Sequence, residues 1–385
     1  MLTEELVVAN GLGYVVYTDT ENGSSILRLV KTQTNREDNY CKWNNERNLV
    51  VIDSVNSGVG RNPSNDYYNI VFKHVLEDLG YTHDYIKTSD ADTVSQFARS
   101  LESSTSYDVI FMSGDTAISE FINNLPPDGA CVRILPIPLG SGNAWASSLG
   151  FTSPVLTFGA FLKGKCFASQ FPLYKAVFPN GYSLKFFIVL SLGFHANLLH
   201  LCDNPKYNLG TEKFRIASEE IFNNYILDEK IQLLDDDGNQ IKAGKYAYFV
   251  IINTSHLEPE YIPSPSSKAL VPDLYLLAYD SQLEKEYLAS KIMQGYSNRL
   301  GQSLVGPGIT YEKLPRKRFK VLVENDKANR RDFEICIDGH LLNLLDLQPS
   351  SEPKDFQNWF YIETLPVSPN ILALTQSDGI PSPVI

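Results

Sequence analysis

The sequence predicts an α/β domain built on a doubly wound parallel sheet, followed by a strand-rich, mainly antiparallel second domain. Three observations carry this. From Asn48 onward, short apolar runs alternate with segments of helical period, the pattern of a parallel sheet covered on both faces. Glycine-bearing loops follow "VVID", "VIFM" and "ILPI". After about Lys165 runs such as "YAYFVIIN" and "RFKVLVEN" read as strands.

Each element follows from its own pattern. Residues 1–47 read as strands joined by glycine turns, with "LVVANGLGYVVYTD" and "SSILRLVKT" flanking "TENG". This lead-in is too small to stand alone, and the second domain is its expected packing surface. "NLVVID" is a buried strand, and Tyr68, Val71, Phe72, Val75, Leu76 and Leu79 then recur at helical spacing before Gly80. The unit repeats as strand "HDYIKT", helix "ADTVSQFARSL", strand "DVIFM", helix "AISEFINNL" and strand "CVRILPI". Residues 48–164 thus form the α/β domain and 165–366 the β domain. In the latter a hairpin is expected at Pro179-Asn180-Gly181, with helices over Glu212–Tyr225 and Gln282–Tyr296. The Pro- and Ser-rich 367–385 reads as a loose tail.

Composition excludes several function classes. A formal charge of -12 argues against nucleic acid as a partner, because phosphate neutralisation needs clustered Lys and Arg. The five cysteines are widely spaced with no CxxC pair, so neither a disulfide framework nor a zinc site is indicated. A reducing, cytoplasmic setting fits. No basic leader precedes an apolar run, and no window reaches the ~18 apolar residues of a transmembrane segment. "KLPRKRFK", Lys313 to Lys320, gathers basic residues that could hold an anionic membrane peripherally or simply be a solvated strand edge.

The candidate site lies at the carboxyl ends of the parallel strands, where doubly wound sheets bind ligands. In "PLGSGNAWASSLG", Gly140 and Gly142 let consecutive amides point at an anion, while Ser141 and Asn143 add side-chain donors. "NSGVG" supplies Asn56, Ser57, Gly58 and Gly60, and "SGDT" supplies Ser113, Gly114, Asp115 and Thr116. Taken singly, each is equally a tight turn, and Asp115 is equally a helix cap. Three such loops at one sheet edge make phosphate binding the more economical reading.

"MSGDTAISEFINNL" followed by "ILPIPLGSGNAWASSLG" resembles the catalytic region of the diacylglycerol kinase and sphingosine kinase family. The likeness spans roughly Asn48 to Leu345, with "IDGH" where that family has a terminal DGE. It implies an α/β nucleotide-binding domain followed by a β-sandwich domain that receives lipid. It also implies ATP and Mg2+ as cofactors and a lipid hydroxyl as acceptor, on a sphingoid base or a diacylglycerol-like molecule. Asp115 would be the general base or the metal-linked acid. Asp338 and His340 would face the nucleotide, and Lys213 would reach its phosphates or be a solvated helix charge. His195 and Asn197 would meet the lipid headgroup.

The chain departs from the family pattern at several positions. Ser54-Val55 stands for Asn-Pro, Thr116 for glycine, Asn197 for an acid, Asn208 for a cation, Val271-Pro272 for acidic residues and His340 for glutamate. Thr116 would cost ~1–2 kcal/mol if a left-handed geometry were kept, unless the loop is rebuilt. Asn197 offers a headgroup hydrogen bonds but no ion pair. A lipid kinase with shifted preference, a degenerate kinase that works by binding, and a kinase of soluble substrates are the readings the sequence supports.

Overall fold

The computed structural model describes residues 1–21, 24–127, 129–204, 212–297, 304, 306–324, 329–352 and 356–376. The chain forms two compact units, Met1–Phe171 with Ser368–Ile385, and Pro172–Val367.

The first unit opens with β1 (Leu2–Ala9), β2 (Leu12–Glu21) and β3 (Ser24–Gln33), an antiparallel three-stranded sheet in that order. This lead-in belongs to the first unit, correcting the expected attachment to the second domain. It packs on the helix Pro154–Leu162, where Gly159 lies so close to Leu6 that an added Cβ would stand 2.9 Å from the Leu6 carbonyl oxygen. There follow β4 (Asn48–Asp53), α1 (Lys73–Asp78) entered through a π-helical turn at Tyr68–Phe72, β5 (His83–Lys87) and α2 (Thr93–Ser100). Next come β6 (Ser106–Ser113), α3 (Asp115–Asn124), β7 (Cys131–Pro138), α4 (Ala144–Ser148), α5 (Pro154–Leu162) and β8 (Phe167–Gln170).

In the second sheet of this unit β5, β4, β6 and β7 lie side by side and parallel. The chain steps from β4 out to β5 and then back across to β6. Right-handed crossovers place the helices of those two steps on opposite faces, so the expected doubly wound class is realised. Val50, Val51, Ile52, Val109, Ile110 and Phe111 are almost wholly buried, as a sheet covered on both faces requires.

The second unit contains β9 (Tyr174–Val177), β10 (Ser183–Phe186), β11 (Val189–Gly193), α6 (Phe194–Asp203), α7 (Glu212–Asn224), β12 (Glu229–Asp235), β13 (Gln240–Ile252), β14 (Tyr275–Asp280) and α8 (Lys285–Met293). β15 (Ile309–Lys313), β16 (Phe319–Glu324), β17 (Glu334–Ile337), β18 (His340–Asn343) and β19 (Trp359–Thr364) complete it. All its pairings are antiparallel, in the order β10-β9-β19-β16-β12-β13-β11-β17-β18, with β14 and β15 branching from β13. Alternate residues such as Phe319, Val321, Val323, Phe360 and Ile362 point into one apolar core. The hairpin at Pro179–Gly181 joins β9 to β10, and Phe187-Ile188 separates β10 from β11, where the sequence suggested a single strand.

The expected loose tail is corrected in part. Ile371–Thr375 forms β20, which pairs in parallel with β7 and antiparallel with β8, extending the second sheet of the first unit. Its Ala373 and Leu374 are buried, so the strand is held by apolar contacts that its Pro- and Ser-rich flanks conceal. Residues 377–385 lie outside the described residues.

Candidate functional site

Strand order reverses at β4, so the switch point of the parallel sheet lies between β4 and β6. The loops after these strands meet there. Ser57 Oγ accepts the Gly114 amide at 3.0 Å. Gly58, at φ +64°, leaves only 2.6 Å between an ideal Cβ and the Leu139 carbonyl oxygen, and a Cβ on Gly140 would stand 2.2 Å from Gly114 Cα. No side chain larger than hydrogen fits at Gly58 or Gly140, so the three glycine loops are in backbone contact.

A buried ion pair holds the first loop. Arg61 Nε donates to Asp53 Oδ1 at 3.1 Å, while its two terminal nitrogens reach Ser57 O at 3.3 Å and Met112 O at 3.0 Å. Tyr85 Oη donates to the other Asp53 oxygen at 3.2 Å. Burial pushes the Asp53 carboxyl upward, and Arg61 and Tyr85 oppose that shift. The sequence reading missed Arg61 and Asp53. The available signal was an acid at the strand terminus followed eight residues later by an arginine, a common spacing with little specificity.

Asp115 stands at the first position of α3, directly after Gly114. Its carboxylate accepts the amides of Ala144 at 2.7 Å and Trp145 at 3.0 Å, so it caps α4 as well as facing the start of α3. A carboxylate beside two helix N-termini is favoured by their exposed amides. Burial nevertheless raises its pKa, against those two hydrogen bonds and one from its own backbone amide. Asn143 closes the third loop: at φ 54° its Oδ1 accepts the Gly140 amide at 2.7 Å and its Nδ2 donates to Gly140 O at 2.8 Å. The Asn143 side chain is therefore spent on the loop. Ser113 is buried and donates to Gly114 O at 2.9 Å, whereas Asn56 and Ser141 are exposed and Gly60 and Gly142 half-buried. Thr116 is exposed in the first turn of α3 and is not among the left-handed residues. The helix starts two residues earlier than its sequence pattern suggested, so no φ > 0 is required there.

The remaining expected residues belong to the second unit. Asp338 is buried at φ 45°, and its carboxylate accepts Phe187 N at 2.8 Å, Ile188 N at 3.1 Å and Val189 N at 2.8 Å. With Gly339 at φ 85° it forms the two-residue turn between β17 and β18, the Asp-Gly pair that such hairpins favour. His340 follows that turn, and burial lowers its pKa. Asn197 is buried and donates to Arg331 O at 2.9 Å and Glu334 Oε2 at 2.7 Å, so its amide protons are committed. His195 Nδ1 lies 2.8 Å from Ser191 Oγ, and burial lowers its pKa to about 4, which keeps the ring neutral at pH 7. Lys213 is half-buried on α7, its ammonium 5.0 Å from the Phe214 ring centroid. Asn208 lies outside the described residues. Asp273, beyond Val271-Pro272, is paired with Arg316 at 2.6 Å and Lys313 at 2.7 Å.

Among the described residues no group of three or more His, Cys, Asp or Glu side chains could hold a metal ion by itself. Mg2+ bound with a nucleotide needs only one or two carboxylates besides phosphate and water. Asp115 could supply one such carboxylate, although its oxygens already accept the amides of Ala144 and Trp145 and its own backbone amide.

Residues 48–165 match the diacylglycerol kinase catalytic domain family. The matched segment begins with β4 and ends just after α5, and it contains all three glycine loops. Among solved structures, a diacylglycerol kinase from Bacillus anthracis str. Sterne is similar at 14% identity and a TM-score of 0.59, over 86% of this chain and 97% of that one. A putative diacylglycerol kinase from the same organism gives 13% identity and the same TM-score and coverage. Yeast NADH kinase complexed with NADH gives 12% identity and a TM-score of 0.45, over 87% of this chain and 85% of that one. At these identities the Bacillus structures show a shared fold. No curated protein matches the chain.

Proposed function

We propose that this protein is an ATP-dependent kinase that phosphorylates a lipid hydroxyl, on a sphingoid long-chain base or a diacylglycerol-like lipid. The observation that carries the reading is the contact of three glycine loops around Asp115, within a segment of the diacylglycerol kinase catalytic family. The exposed loop residues Asn56 and Ser141, with the backbone around Gly58 and Gly142, would cradle the phosphates. In the transfer, the bond from the γ-phosphorus to the bridging oxygen breaks, ADP leaves, and the lipid oxygen bonds to phosphorus. The hydroxyl proton passes to Asp115, whose raised pKa suits it as acceptor. Mg2+ carried with the triphosphate would supply charge neutralisation; in its alternative role Asp115 would hold that ion instead of taking the proton. The reading places the protein in the cytoplasm with peripheral contact at a lipid surface.

A second reading, a catalytically impaired member that works by binding lipid or protein, is favoured by the side chains already spent on structure. Asp338 satisfies three backbone amides and Asn197 is tied to Glu334 and Arg331. Incubation with labelled ATP, Mg2+ and a panel of sphingoid bases, diacylglycerol and ceramide separates the two. Transfer to a lipid that is lost in Asp115→Asn supports the kinase. Lipid binding without transfer supports the alternative.

A further inference from the structure

We propose that the outer face of strands β10, β9, β19, β16 and β12 is a docking surface for an anionic lipid membrane. The face follows from strand alternation. While Leu184, Ala176, Phe360, Ile362 and Val321 point into the core, their neighbours point the other way. The register sets these in rows: Lys185 opposite Lys175 and Lys175 opposite Glu363; Val177, Tyr361, Lys320 and Leu234 side by side; then Trp359 beside Leu322. Helix α6 packs on β11, β13 and β17, the other part of the sheet.

The chemistry is that of a membrane interface. Trp359 and Tyr361 lie with ring centroids 5.1 Å apart, flanked by the aliphatic Val177, Leu322 and Leu234, and such rings settle at the headgroup level of a bilayer. Cations stand over them: the Arg318 guanidinium is 3.8 Å from the Tyr361 centroid and the Lys320 ammonium 4.5 Å from that of Trp359. In the basic run 313–320, Lys313 and Arg316 are occupied by Asp273. Arg318 and Lys320 are instead presented with the aromatic pair, a positive patch on a chain of net charge -12. Charge complementarity therefore selects an anionic surface. Single-stranded nucleic acid would need open ring faces for base stacking, and here the protein's own cations cover them.

The inference does not rest on transfer activity, and its test contains no nucleotide, so its failure and that of the kinase reading are distinguishable. Full-length protein is sedimented with vesicles of phosphatidylcholine alone, or with about a third phosphatidylserine, at low and at physiological salt. Binding is expected only with phosphatidylserine and is expected to weaken with salt. Losing two cations at about 1 kcal/mol each lowers partitioning about thirty-fold, so Arg318→Glu with Lys320→Glu, which also adds two carboxylates, should lower it by at least that factor. Lys242→Glu, whose wild-type partner is Glu312 on β15, should retain it. As a measurement that needs no charge reversal, the indole emission should shift to the blue on anionic vesicles, and Trp359→Phe should abolish the shift. Equal partitioning of the double variant and wild type overturns the proposal. So does an equal loss in Lys242→Glu, a blue shift that persists in Trp359→Phe, or binding of a uridine homopolymer in preference to the vesicles.

Discussion

The hydroxyl of Ser57 accepts the backbone amide of Gly114 across 3.0 Å, joining two loops 57 residues apart in sequence. Around that bond the glycine loops approach so closely that their separation is set by the absence of side chains. Gly140→Ala would place a methyl 2.2 Å from Gly114 Cα, where no rotamer can relieve it. Overpacking of this kind costs ~1–3 kcal/mol. A lowered melting temperature is expected, together with loss of the stabilisation that Mg-ATP is expected to give the wild type.

Asp115→Asn keeps the volume but offers one acceptor oxygen for two amides. One of Ala144 N and Trp145 N then faces an NH2 group, at a cost of about 1–3 kcal/mol. Lipid phosphorylation should fall by at least two orders of magnitude, the usual scale for a lost proton acceptor. Urea unfolding run beside the transfer assay reads both effects, and an unchanged turnover would remove Asp115 from the chemistry.

Asp338 carries the opposite expectation. Asp338→Ala strands the amides of Phe187, Ile188 and Val189, which lie in the same unit, at roughly 1–3 kcal/mol for each buried donor left unsatisfied. Severe destabilisation or loss of soluble protein is expected. Asp338→Asn, which leaves one acceptor oxygen, should be intermediate and, where folded, should bind nucleotide with wild-type affinity by calorimetry.

Glu229 supplies a pH prediction. It is 2% exposed, its Oε2 has no hydrogen-bond partner among the described residues, and burial, with lesser contributions from Asp332, Asp228 and Glu334, holds its carboxyl well above the ordinary value. Between the ordinary carboxylate pKa and the raised folded one, the native state binds more protons than the unfolded state, so stability falls as pH rises. Glu229→Gln removes that proton linkage. Its advantage over the wild type should be smallest near pH 4 and grow toward pH 7 in thermal melts. An equal difference at both values would contradict the assignment.

Much of the first unit was legible because its signals are local. Strand-length apolar runs, helical periods and glycine loops each lie within about fifteen residues, and parallel pairing follows from their alternation. Asp115 was legible as a helix cap or a catalytic acid, and the structure gives it the cap of α4, a helix it does not begin. Asn143 and Asp338 read as ligand contacts, yet both spend their side chains on backbone amides. An acceptor oxygen satisfies a distant N–H as readily as a ligand, and residue type alone does not say which.

The sequence by itself determined the alternation of strands and helices, the three glycine loops and the hairpin turn at Pro179-Asn180-Gly181, since each depends on backbone preferences of adjacent residues. Only the tertiary structure decided that β20 returns to the first unit's sheet, that Arg61 ties Asp53 to Ser57 and Met112, and that Trp359 and Tyr361 share a face with Lys320. These relationships join residues whose separation along the chain leaves no periodic trace. They arise because buried polar groups must find partners and apolar strands must find neighbours, wherever in the chain those partners lie.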